Sequence, residues 1–190
     1  MKTENLNELR TELSVNSKNG INFTLAASIV WLIIAYVWTL NFDSYTKSVF
    51  VFIVGPLLLP MAFLFSKLFK TSWNIEGNPL QPLGLWLNFA QLFYFPFLVL
   101  VMIKIPDYFA LTYAIITGSH FFPYAWFYKT NWYAVFAGII VVGDLLLGLL
   151  LPNDKMWFVA IFTSIMLLVL TAGLYFDAKR KNEKFADPKT

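Results

Sequence analysis

The chain has 190 residues, 58% hydrophobic, 19% aromatic and only 13% charged, with a net charge of +3. Soluble globular chains carry about 25% charged residues, so a soluble fold, a disordered chain and a nucleic-acid binder are excluded together. The absence of Cys and the single His exclude disulfide, thiolate, iron–sulfur and His-rich zinc chemistry, and no cofactor or metal is expected.

Residues 1–20 form a polar N-terminal segment. In it Leu6, Leu9 and Leu13 recur at helical spacing, away from Glu4, Glu8 and Glu12. A short amphipathic helix at the inner interface and a frayed, solvated tail both fit this pattern. Six apolar stretches follow, at 21–40, 48–65, 83–103, 109–128, 133–151 and 157–176. Each is long enough to cross a hydrocarbon core about 30 Å thick at about 1.5 Å per residue, and too long for barrel strands. The expected fold class is an all-α integral membrane protein with six transmembrane helices over 21–176 and a basic cytoplasmic tail over 177–190. Short connections leave no room for an extramembrane domain. The first stretch lacks a small-x-small cleavage site, so it is expected to be a retained helix.

Each stretch carries its own polar or helix-bending residues. Thr24 and Ser28 mark the first, with Trp31 on the same side. Gly55, Pro56 and Pro60 interrupt the second, and Asn88, Gln91 and Pro96 the third. In the fourth, Tyr113, Thr117, His120, Tyr124 and Tyr128 follow one another at three- or four-residue spacing, which places them on one stripe. The fifth holds Asp144, the only acid in any of the six stretches, on a face shared with Ala137, Gly138 and Gly148. Small residues mark close helix approach, so Asp144 is expected to point into the bundle. The sixth adds Ser164, Thr171 and Tyr175.

The segment 55–65 aligns without gaps on 118–128 in the pattern G-x-x-x-x-P-x-A-aromatic-apolar-aromatic. Helical hairpins repeated in parallel orientation would explain it, with Gly55, Pro60, Gly118 and Pro123 as matched bending points. Basic residues supply the orientation. Eleven of the fourteen (Lys2, Arg10, Lys18, Lys67, Lys70, Lys129, Lys179, Arg180, Lys181, Lys184 and Lys189) fall on the side of the termini, against Lys47, Lys104 and Lys155 opposite. Positive charge collects on the cytoplasmic side, so both termini are expected there. The run Lys179-Arg180-Lys181 reads as a topology anchor against anionic lipid.

An intramembrane acid and a histidine at similar depth predict a polar cavity in which Asp144 and His120 meet, with Asn88, Gln91, Tyr124, Tyr113 and Thr117 alongside. Transport or channel-like passage of a small polar solute or ion is the expected function. A membrane-embedded enzyme acting on a lipid or isoprenoid is the alternative, although no paired carboxylates or nucleophile motif support it. A third reading is a non-catalytic partner or sensor subunit of another membrane protein. The surrounding partner is the lipid bilayer.

Three stretches carry a resemblance: Asn7-Glu8-Leu9-Arg10-x-Glu12-Leu13, then Asn78-Pro79-Leu80 with Leu83-Gly84, then Gly118 to Tyr128. The chain resembles an uncharacterised, domain-of-unknown-function family of small bacterial multi-pass membrane proteins. That resemblance implies a bacterial cytoplasmic membrane location and supplies neither an activity nor site residues.

Overall fold

A computed structural model describes residues 3–186; Lys2 and Lys189 of the basic set lie outside the described residues. Seven helices follow one another: α1 (Thr3–Asn16), α2 (Ile21–Thr39), α3 (Ser44–Phe69), α4 (Gln81–Lys104), α5 (Phe109–Phe127), α6 (Trp132–Leu150) and α7 (Trp157–Ala186). Among the described residues there is no strand. Five of the helices, α2, α3, α4, α6 and α7, are long and apolar enough to cross a membrane. Helix α5 has the length, but its polar stripe dilutes its apolarity below theirs.

Helix α2 lies along α7 and against the inner half of α3, while α5 lies along α6 and α6 against α7. Small polar side chains make the α2–α7 seam. Ser28 donates to the Ser164 carbonyl at 2.9 Å, Ser164 returns a bond to the Ser28 carbonyl at 2.8 Å, and Thr171 donates to Thr24 Oγ1 at 2.8 Å. Such bonds cost little in the membrane because each polar group stays paired. The α5–α6 seam is close enough to need glycine: a Cβ at Gly118 would sit 2.7 Å from Ile140 Cγ2.

Proline chemistry shapes α3 and α4. Proline has no N–H for the carbonyl four residues back, and its ring collides with that carbonyl. In α3 the α-helix gives way to a tighter 3-10 turn at Gly55–Leu57, just ahead of Pro60. In α4 the helix breaks after Leu92, the residue four before Pro96, and resumes at Phe95. Pro123, by contrast, lies inside a helix that runs without interruption from Phe109 to Phe127. Gly55 and Gly118 also meet different surroundings: Gly55 faces the Tyr113 hydroxyl, and Gly118 faces Ile140 and Val141.

At the end of the bundle opposite α1, termed the outer end, Asp43 caps α3, accepting from the Thr46 amide at 3.0 Å and the Thr46 hydroxyl at 2.6 Å. Those hydrogen bonds hold its carboxyl below the usual carboxylate range. Asp107 ties three connections together by accepting from Ser44 and from Asn153.

At the inner end α1 docks under the bundle, as the amphipathic pattern allows. Leu13 is buried, Arg10 Nε donates to the Trp126 carbonyl at 2.6 Å, and Lys18 Nζ donates to the Phe69 carbonyl at 2.6 Å. The chain turns from α1 into α2 through Asn19 and Gly20, both at positive φ. A Cβ on Gly20 would lie 3.2 Å from the Tyr128 hydroxyl, so glycine meets both the conformation and the space. The stretch 177–186, expected as a basic tail, continues α7 as helix.

Candidate functional site

A cavity of about 720 Å³ lies among α2, α3, α4 and α5. That volume falls in the range of small-molecule binding sites, roughly 300–1,000 Å³. Its inner end is bounded by Leu13 and Ser17 from the first segment and by Trp73 and Ile75 from the connection before α4. Its outer end is bounded by Val51, Phe52, Phe95, Leu98 and Phe109. Between them come the polar groups that the sequence singles out on α4 and α5, namely Asn88, Gln91, Tyr113, His120 and Tyr124. Among the described residues, no Asp, Glu, Lys or Arg lies on the lining.

One wall is aromatic. The His120 ring meets Tyr124 edge-on at 5.3 Å between centroids, and Tyr124 stacks on Tyr128 at 5.9 Å. Tyr133 packs against both tyrosines and donates its hydroxyl to the Asn19 carbonyl at 2.7 Å. The Tyr124 hydroxyl is buried and has no hydrogen-bond partner among the described residues. A buried hydroxyl left unpaired costs free energy, so this one is suited to a bound molecule.

The wall opposite is open. Pro56, Leu59, Leu85, Phe89 and Leu92 line the cavity and are at the same time exposed on the protein surface. All belong to α3 and α4, whose inner halves make few close contacts with each other. The cavity therefore opens sideways between these two helices.

The expected meeting of Asp144 with His120 does not occur in this cavity. Asp144 is fully buried, yet it is absent from the lining; its Oδ2 accepts from Thr163 Oγ1 of α7 at 2.9 Å. Helix α6 is sandwiched between two neighbours: Leu111 of α5 fits over Gly148, and Phe162 of α7 fits over Gly143. Asp144 lies inside the bundle, as its small-residue face suggests, but its partner is Thr163 of α7 and not His120, which the match in depth predicts. Thr117 is also off the lining, with a buried hydroxyl lacking a partner among the described residues.

A second polar cluster, not anticipated from the sequence, lies at the inner end. Lys181 Nζ pairs with Asp177 at 2.7 Å and donates to Ser14 Oγ at 3.0 Å and to the carbonyls of Tyr128 at 2.9 Å and Lys129 at 3.0 Å. Asn19 Nδ2 donates to Asp177 Oδ2 and to the Leu174 carbonyl, both at 3.1 Å, and Ser14 donates to Asn19. Lys181 is thus a tie between α1, α5 and α7 more than a lipid anchor. The available signal was the four-residue spacing of Asp177 and Lys181, which puts opposite charges on one helix face.

The sequence profile of DUF7010, a family of unknown function, matches residues 6–177, and the chain belongs to that family. No curated protein and no solved structure matches the chain.

Proposed function

We propose that this DUF7010 chain is a six-span protein of the bacterial cytoplasmic membrane, with both termini on the cytoplasmic side, that works as a transporter-like carrier for a small solute bearing a polar group. The carrying observation is the cavity, which extends from α1 to the outer half of α4 and gathers the polar groups of α4 and α5, with Asn22 and Thr24 of α2, inside a largely apolar body. Helix α5 serves as the sixth span. It lies along α6 and touches α4 and α7, and much of the stripe that lowers its apolarity (Tyr113, His120 and Tyr124) faces the cavity instead of lipid. The asymmetry of basic residues supports the orientation. The alignment of 55–65 on 118–128 supports a parallel repeat of the hairpins α2–α3 and α4–α5.

The chain has no cysteine, which makes a direct test straightforward. Single cysteines at Asn88, Gln91 and His120 should react with membrane-impermeant thiol reagents, with a rate that depends on the side from which the reagent is added. A carrier alternates exposure of one site between two sides. Positions that stay unreactive from both sides would overturn the carrier reading. The sideways opening favours one second reading, an embedded enzyme acting on a lipid or isoprenoid. It stands behind the first because His120 is the lining's one general base and no carboxylate accompanies it.

A further inference from the structure

We infer that the cavity takes an uncharged amphipathic molecule, an apolar chain or ring ending in a hydroxyl or carbonyl group, and admits it sideways from the inner leaflet between α3 and α4. This inference rests on the cavity being the binding site of the proposed carrier, and it names the class of solute.

Charge is the first argument. A carboxylate, phosphate or ammonium entering this space would shed its water and find no Asp, Glu, Lys or Arg on the lining. An unpaired ion in such surroundings is strongly disfavoured, whereas a hydroxyl or carbonyl needs only one or two hydrogen bonds. Those are on offer: the Tyr124 hydroxyl is unpartnered, and Asn88, Gln91 and His120 share its cavity.

Depth is the second argument. Asn88 lies seven residues into α4 and His120 seven residues before the end of α5, so both sit roughly 10 Å from the inner helix ends. Outward of this polar band the lining turns to Phe52, Phe95, Leu98 and Phe109. A molecule with its polar group inward and its chain toward the membrane centre is oriented as an inner-leaflet amphipath already lies. It would enter without inverting.

Access is the third. At the inner end Leu13 and Ile75 are buried, which narrows the cytoplasmic approach to the exposed Ser72 and Trp73 of the connection before α4. The opening flanked by Leu59, Leu85 and Phe89 faces the hydrocarbon.

The test uses the full chain in lipid nanodiscs with three photoactivatable diazirine probes of equal chain length: a long-chain alcohol, the matching alkyl sulfonate and the matching alkyl trimethylammonium. The alcohol should label peptides containing Phe89 and Tyr113, and the two charged probes should label them at least about tenfold less. His120→Phe and Gln91→Leu should each weaken alcohol labelling there. Comparison of probes on the unaltered chain needs no variant to fold. Equal labelling by all three probes overturns the inference, as does alcohol labelling confined to Leu145 and Leu149 on the outside of α6. Lining labelled by the alcohol alone, with no side-dependent thiol reactivity, would sink the carrier and leave this inference standing. Side-dependent reactivity without alcohol labelling would do the reverse.

Discussion

Asn78 sits under Glu12, its side-chain amide donating to the Glu12 carboxylate at 2.8 Å and to the Leu9 carbonyl at 2.9 Å. With the Ser72 amide, which donates to the Asn16 carbonyl at 3.0 Å, it holds α1 to the connection between α3 and α4. Nearby, Arg10 lies over the Trp126 ring at 4.6 Å while donating to the Trp126 carbonyl. The three stretches that carry the family resemblance in the sequence therefore meet at one place, the inner face beneath the cavity.

Asn78→Ala should remove both bonds and leave the Leu9 carbonyl short of a donor, at a cost of about 1–3 kcal/mol. Limited proteolysis in detergent should cut faster within residues 1–20 and 70–80 than in the unaltered chain. An unchanged cleavage pattern would show that the other ties of α1, from Arg10 to Trp126, Lys181 to Ser14 and Ser72 to Asn16, suffice to hold it.

Lys181→Met leaves the buried Asp177 to the exposed Arg180, which pairs with it at 3.0 Å, and uncaps the carbonyls of Tyr128 and Lys129. Breaking a buried pair on one side costs up to about 3–5 kcal/mol, and less where a second cation remains, while replacing both members costs less again. Thermal unfolding should therefore show Lys181→Met more destabilised than the double variant Asp177→Asn with Lys181→Met. The opposite ranking would return Lys181 to the role of a surface anchor.

Asp144 and the cavity should separate by mutation. Thr163→Val removes the side-chain bond to Asp144 and should cost about 0.6 kcal/mol, the average for such bonds between membrane helices, and no more than about 1.7. Neither it nor Asp144→Asn should change labelling of the cavity by the alcohol probe, whereas Tyr124→Phe should lower it. Loss of labelling in Asp144→Asn would reconnect the acid to the site.

The cap at Asp43 should give the outer end an acid-sensitive element. Because the folded carboxyl lies below its ordinary range, its contribution is fully present above the unfolded value and is lost as pH falls through the folded one. Hydrogen exchange at the start of α3 should accelerate across that acid window in the parent chain. Asp43→Asn should flatten the response; an unaltered acid limb would assign it to another group.

How far the sequence could be read depended on what each pattern encodes. Apolar length locates helices, and all six apolar stretches contain one. Depth follows from counting along a helix, so Asn88 and His120 were legible as one level of a cavity. Rotation and partner choice are not encoded that way. Asp144 and His120 match in depth, but α6 turns its acid toward Thr163 on α7, a choice set by where Phe162 and Leu111 fit against glycine. The ties of Lys181 escape the sequence for a related reason: basic residues after an apolar helix normally face water, and only the folded α1 brings Ser14 and the Asn19 turn beside it.

The prolines of α3 and α4 have one more consequence. Pro56, Pro60 and Pro96 each deny an amide to the carbonyl four residues earlier, at Phe52, Pro56 and Leu92, and all three of those residues line the cavity. The Pro56 carbonyl takes the Leu58 amide instead; any of the three that turns inward would add a main-chain acceptor to the cavity. Scanning the lining with alanine would leave these acceptors in place, so a binding defect smaller than the polar side chains suggest is the expected signature. Restoring an amide with Pro60→Ala would reach what no side-chain truncation can.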